Sequence, residues 1–211
     1  MYIEKRNNEN LEKVIFDGAG IYDIPQIEPT QIKEAEFIPF NYASRTADRN
    51  RKSVHFFIDD YQFSRLWIRI DAYIPMLSEF CQVLTPDFST YTDYPLVMQL
   101  YNHYRKHWVG AYMQRAGIDV IPTISWSTPD SFEWCFDGEP RRGAVAVSSV
   151  GCLQSKESKA LFLQGYEEML KRLEPTQILF YGKVPAECTG NIINIKPFYS
   201  KFEKEDQKNG R

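Results

Sequence analysis

The sequence predicts an α/β fold of repeated βα units, arranged as an incomplete or distorted TIM-like barrel, with an open parallel doubly wound sheet as the alternative. Three observations carry this. First, five short apolar runs recur: Val54–Asp60, Gln82–Asp87, Asp119–Trp126, Ala144–Ser149 and Gln177–Lys183. Each is too short and too uniformly apolar for a strand with one wet face, so each reads as a strand buried on both faces. Second, an amphipathic or polar helical stretch follows each of the first four, and the runs begin roughly 25 to 38 residues apart, the length of a βα unit. Third, polar and acidic residues gather at the C-terminal end of the runs, the edge where parallel α/β folds bind ligands.

The elements follow in chain order. Residues 1–36 form an N-terminal lead-in, polar over residues 1–13, with a short strand and turn expected around Val14–Phe16 and the FDGAGIYDIP segment. A single α/β domain is expected over residues 37–196. Phe37–Ala43 is its first strand or a layer closing one end, and Ser44–Lys52 is a polar loop carrying Arg45, Arg49, Arg51 and Lys52. After the Val54 run, Leu66, Ile70, Tyr73, Ile74 and Leu77 recur at helical spacing within a helix Phe63–Glu79, which Pro75 is expected to kink. A long helix spans Tyr94–Ala116, with Asp93 as candidate N-cap, Pro95 near its start and Gly117 as its stop. Ser127 or Thr128 caps a short helix through Phe136. Ser155–Leu173 is helical and ends before Pro175. After the last of the five runs, Asn191–Ile195 is one more apolar stretch. Residues 197–211 are a charged tail and are expected to be disordered.

Composition limits the choices. The chain has 211 residues and a net charge of −3, so no global charge favours nucleic acid, although a local basic patch such as 45–52 or Arg141–Arg142 could still touch phosphates. No apolar run approaches the ~20 residues of a membrane span. Cys81, Cys135, Cys152 and Cys188 are scattered without CxxC or CxH spacing, which favours reduced thiols and a cytoplasmic setting over a disulfide framework or a metal knuckle. No GxGxxG or P-loop is present, and nothing resembles GxSxG.

Seven segments in order, FIPFN, VHFFIDDYQFSRLW, LTPDFSTYTDYPLVMQLYNHYR, VIPTISWS, SFEWCFDG, VAVSSVG and LFYGK, span about Phe37 to Lys183. They resemble an uncharacterised "domain of unknown function" family encoded in bacteria, phages and mobile elements. The resemblance implies a shared fold and a phage or mobile-element setting. It transfers no activity, cofactor or catalytic residue.

The candidate site is read from the residues. Asp59 and Asp60 close the first run and Asp87 closes the second. Carboxylates on neighbouring strand ends suit general acid/base chemistry, glycosidic-bond cleavage or a divalent metal, whereas Asp at such ends also caps helices. Lys183, ending the fifth run, could pair with a phosphate or with Asp60. Asp60, Asp87 and Lys183 are thus the candidate catalytic residues. Trp126 and Tyr91 offer flat rings for a base or sugar. Ser148 and Ser149, in SSVG, offer small side chains and backbone donors to an anion. These four are the candidate ligand-binding residues. His103 and His107 have zinc-ligand spacing, but HYRKH lacks the Glu of the HExxH motif and its charged neighbours read as a wet helix face, so no protein metal ligands are assigned.

The expectation is a pocket at the C-terminal strand ends that binds or processes a nucleoside, nucleotide or nucleic acid. The alternative is a non-catalytic protein that contacts a host protein or DNA. Neither the cofactor nor the oligomeric state follows from the residues.

Overall fold

In the computed structural model, residues 10–195 are described; the charged tail 197–211 and the first nine residues lie outside them. A small antiparallel pair, β1 (Gly18–Ala19) and β2 (Ile24–Pro25), precedes the main sheets. The first main sheet holds β3 (Glu36–Pro39), β4 (Lys52–His55), β5 (Gln82–Leu84) and β6 (Val120–Ile121). The second holds β7 (Ala144–Ser148), β8 (Gln177–Tyr181) and β9 (Ile192–Ile195). Every neighbouring pair in both sheets is parallel, and spatial order follows chain order. One parallel bridge, Thr123 to Ala146, joins the two sheets. Ile124 N–H donates to the Ala146 carbonyl, and Ala146 N–H to the Pro122 carbonyl, both at 2.8 Å.

This is an α/β fold with parallel sheets flanked by helices. The expected barrel closure is not seen: among the described residues no strand pairing joins β3 to β9, so the arrangement is open. The five central runs are adjacent and parallel as expected. They are shorter as strands than as runs, because Ile58–Asp60, Pro86–Asp87 and Ser125–Trp126 leave the sheet to shape the site.

Burial on both faces is visible on β7 and β8. Ala146, Leu179 and Tyr181 pack with Val54 and Val83 of the first sheet. The alternate residues Val145, Val147, Ile178 and Phe180 pack under Phe162, Tyr166, Met169 and Leu173 of a helix. That alternation is the two-residue period of a strand with helix on one side and sheet on the other.

The helices depart from expectation in detail. A single-turn helix, α1 (Phe40–Ala43), follows β3. The Phe63–Glu79 segment is two helices, α2 (Ser64–Ile68) and α3 (Ile70–Leu77), broken at Arg69 (φ −134°, ψ 44°) rather than bent at Pro75, which sits within α3. The long helix α4 (Leu96–Arg115) begins after Pro95, and no side chain caps it, so Asp93 is not its cap. Its end is a Schellman motif: Gly117 has φ +83°, its N–H donates to the Gln114 carbonyl, and Ile118 N–H donates to the Met113 carbonyl. The α5 helix (Lys156–Leu173) starts with a capping box between Ser155 and Ser158. Thr128 precedes only a 3₁₀ turn, Pro129–Glu133.

Residues 30–33 close the N-terminal ends of the strands. Ala144 N–H donates to the Thr30 carbonyl, Ile32 N–H to Gln177 Oε1 and Lys33 N–H to Gln82 Oε1. The opposite edge is left open for a pocket.

Candidate functional site

A cavity of about 400 Å³ opens at the C-terminal ends of β4 to β8. That size is in the range of small-molecule sites. Its walls come from six stretches, one of them α5 through Phe162. The turn after β4 supplies Phe57, Ile58, Asp59 and Gln62, and the loop after β5 supplies Asp87, Ser89, Thr90 and Tyr91. Trp126 follows β6, Ser148 ends β7, and Tyr181 ends β8.

Five of the lining residues are aromatic. Phe57 stacks on Tyr181 with centroids 4.7 Å apart, and Trp126 lies against Phe162 of α5 at 5.4 Å. Trp126 fits there because α5 has Gly165 beneath it: a Cβ at that position would lie 2.2 Å from Trp126 Nε1. The glycine is therefore a packing requirement of the pocket wall.

Asp87 is the distinctive polar group. Its carboxyl has no hydrogen-bond partner among the described residues, and burial pushes it up to about 7. Lys106 opposes that shift and the Asp60 charge adds to it. A carboxyl of this kind both holds and releases a proton near neutrality, which is the property of a general acid or base. Nearby, burial and then Asp87 push the Cys152 thiol up, so it is a poor nucleophile there.

The expected site residues separate into two groups. Asp87, Trp126, Tyr91 and Ser148 line the cavity. Asp60, Ser149 and Lys183 are not among its lining residues. Asp60 faces the Asp87 loop instead, accepting hydrogen bonds from Ser89 N–H and Oγ–H. Ser149 is buried and its hydroxyl donates to the Lys183 carbonyl at 2.7 Å, while the Lys183 side chain is exposed. Of the basic clusters, Arg49 pairs with Glu79, and Arg141 and Arg142 both pair with Glu174.

A second polar cluster lies in the core. The α4 face expected to be wet is buried: His103, Lys106 and His107 are each at most 1% exposed. Glu139, from the turn after the 3₁₀ segment, meets them. Lys106 Nζ donates to Glu139 Oε1 at 2.7 Å and to the Thr123 carbonyl at 2.8 Å. His107 Nε2 is 2.9 Å from the same Oε1. The two imidazoles are 4.4 Å apart, centroid to centroid. Burial, followed by the charges of His107 and Lys106, holds the His103 pKa well below the usual range. One ligand atom from each of His103, His107 and Glu139 lies within 4.8 Å of the others, so the three could chelate a divalent metal.

A family described as "Domain of unknown function (DUF4417)" matches residues 16–199. The chain belongs to this family. It is 36% identical over 199 residues to the "Gene 1 protein" of Mycobacterium phage D29, covering 91% of this chain and 72% of that protein. It is 39% identical over 174 residues to the "Gene 1 protein" of Mycobacterium phage L5, covering 82% of this chain and 76% of that protein. No solved structure matches. Among the described residues no helix is long and apolar enough to cross a membrane.

The buried cluster was visible in the sequence only as a stripe. Gln99, Asn102, His103, Lys106 and His107 fall at i, i+3, i+4, i+7 and i+8, one helical face, and all are buried. A search for apolar periodicity passes over such a face, and Glu139, 32 residues beyond His107, has no local signal at all.

Proposed function

We propose that this member of the family binds a small ligand bearing a planar ring, of the nucleobase or nucleoside class, in the pocket at the C-terminal strand ends, and that Asp87 exchanges a proton with it. The observation that carries this reading is Asp87 itself: an unpartnered carboxyl, raised to about 7, on the wall of an aromatic-lined cavity. Trp126, Tyr181 and Tyr91 supply faces for stacking, worth about 1–3 kcal/mol per base in other systems. Asp87, Ser89, Thr90 and Ser148 supply edge-on hydrogen bonds that fix orientation. Among the described residues no lysine, arginine or histidine lines the cavity. An unsubstituted nucleoside therefore suits it better than a nucleotide, whose phosphate would meet Asp59 and Asp87 without a counter-charge. The sequential strand order and the bridge between the sheets favour the incomplete-barrel reading of the fold, in which this edge is the working face. A nucleoside ligand and free thiols suit a cytoplasmic protein.

The test is a thermal-shift and calorimetric screen of bases, nucleosides and nucleotides against wild type, Asp87→Asn and Trp126→Ala. Saturable binding of a base or nucleoside that Trp126→Ala weakens about tenfold or more supports the reading. Binding that is unaltered in both variants overturns it.

A second reading has its own observation. Tyr91, Tyr94, Leu96, Val97 and Met98 are all exposed, in one run from the pocket loop into α4. Consecutive exposed apolar side chains suit contact with a host protein. Loss of a host-protein interaction in Val97→Asp, with ligand binding intact, would favour that reading over a stand-alone small-molecule binder.

A further inference from the structure

We propose that His103, His107 and Glu139 form a structural binding site for a zinc-class divalent metal, with Lys106 as an internal cation that competes for Glu139. The hydrogen bonds fix which ring atoms are available. His103 Nε2 is 3.2 Å from the Asp137 carbonyl, and His107 Nδ1 is 2.8 Å from the Pro25 carbonyl. A carbonyl only accepts, so those two nitrogens carry hydrogens. In neutral rings the lone pairs then sit on His103 Nδ1, which has no hydrogen-bond partner, and on His107 Nε2, 2.9 Å from Glu139 Oε1. Backbone carbonyls that orient imidazoles in this way are the usual outer shell of a metal-bound histidine.

Two atoms in this cluster lack partners. His103 Nδ1 and Glu139 Oε2 are both buried without a hydrogen bond. The competing account is a plain Lys106–Glu139 ion pair. It satisfies Glu139 Oε1 and leaves both of those atoms unpartnered, a costly state for buried polar groups. It also sets His107 Nε2 2.9 Å from an oxygen, a contact that needs either a second proton on the ring or a cation shared between the two. One metal ion bound by Nδ1, Nε2 and Oε2 gives both orphaned atoms a partner and puts a cation beside the Nε2–Oε1 contact, with Oε1 still bonded to Lys106.

Tetrahedral ligands each about 2.1 Å from one zinc ion stand about 3.4 Å apart, so a cluster spanning up to 4.8 Å must contract by as much as about 1.4 Å when the ion binds. Three protein ligands are fewer than the four of a typical structural zinc site, and water would complete the shell. The side chains of His107 and Glu139 are 0% exposed, which places the ion away from substrate and makes its role the tying of α4 to the Gly138 turn. Lys106 works against it. Its ammonium adds positive charge beside the ion, so the wild-type site should bind more weakly than the ligand set alone would.

The experiment uses the full chain, stripped with EDTA, reloaded with zinc or cobalt, dialysed and measured by elemental analysis, thermal shift and, for cobalt, visible absorption. The expected result is one equivalent of zinc per chain, a rise in melting temperature and cobalt ligand-field bands. Lys106→Met should bind zinc about tenfold or more tightly than wild type, and its stability loss in EDTA should be reversed by zinc. His103→Asn leaves the Lys106–Glu139 pair intact and should fold but lose the metal. Absence of stoichiometric zinc from both wild type and Lys106→Met overturns the proposal, as does His103→Asn binding zinc as wild type does. Asp87→Asn should keep its zinc, so this site and the pocket stand or fall separately.

Discussion

The carboxylate of Asp60 holds Ser89 twice, accepting its backbone N–H at 3.1 Å through Oδ2 and its hydroxyl at 2.8 Å through Oδ1. This ties the turn after β4 to the loop after β5, two residues from Asp87. The loop is fixed from the other side by Asn102 of α4, whose side-chain amide donates to the Ser89 carbonyl. Asp60 thus positions the wall that carries Asp87 and also biases its proton affinity by charge.

Replacing Asp60 with Asn should keep at most one of those two bonds and remove the charge from the one that remains. The expected cost is about 1–2 kcal/mol, the range for hydrogen bonds to a charged group. Hydrogen exchange should quicken at Phe88–Thr90, and the Asp87 pKa should fall because a negative neighbour is gone. Urea denaturation and exchange mass spectrometry read both. Unchanged exchange in that loop would show that Asn102 alone holds it.

The buried ion pair makes a separate prediction, measured in EDTA. Glu139→Gln leaves the Lys106 ammonium buried opposite a neutral amide, which should cost about 3–5 kcal/mol in urea unfolding. Lys106→Met combined with Glu139→Leu removes both charges, and should recover a substantial part of that loss. A double variant no more stable than Glu139→Gln would mean that the polar contacts to Thr123 and His107 matter more than the charge.

Much of the fold was legible because parallel strands buried on both faces have a plain signature: VHFF, AVAVS and QILFY leave little else to be. The edge where the cavity opens followed from the same pattern, since each run ends in residues that leave the sheet together. What was not legible depended on contacts distant in sequence. Whether strands in sequential order close on themselves is decided by pairing between β3 and β9, which no local pattern reports. Asp60 and Asp87 carry the same kind of signal, an acid at the end of an apolar run. Only the Ser89 contacts distinguish a positioning carboxylate from an unpartnered one. In HYRKH, charge masked burial. The apolar residues Leu96, Val97 and Met98 face solvent while Lys106 is buried, the reverse of what an amphipathic reading assumes.

Gly165 supports Trp126. Alanine there would gain about 1 kcal/mol of helix propensity but would drive its Cβ into the indole ring. Overpacking of this kind costs about 1–3 kcal/mol, so the net effect should be destabilising and the ring should shift into the cavity. Near-UV circular dichroism and ligand titration would detect that shift. A Gly165→Ala variant that is more stable than wild type with unaltered binding would place Trp126 elsewhere.

Asp87 makes the pH-dependent prediction. Its folded pKa is raised from 3.8 to about 7, so the folded state keeps a proton that the unfolded chain releases. That contribution to stability is complete below about pH 4 and is lost as pH rises through about 7. Holding that proton corresponds to about 4 kcal/mol as an upper bound. Water in the cavity will reduce it, because the carboxyl faces an open pocket. Asp87→Asn cannot ionise and should escape the loss. The difference in urea stability between the variant and wild type should therefore be small at pH 4, grow through neutrality, and favour the Asn variant by about 1–3 kcal/mol at pH 8. Ligand affinity should show the opposite preference, with an inflection near pH 7 in wild type that Asp87→Asn abolishes. Parallel stability curves for the two proteins from pH 4 to pH 8 would show that the carboxyl is solvated or paired in the folded state, and would remove the basis for its role in proton exchange.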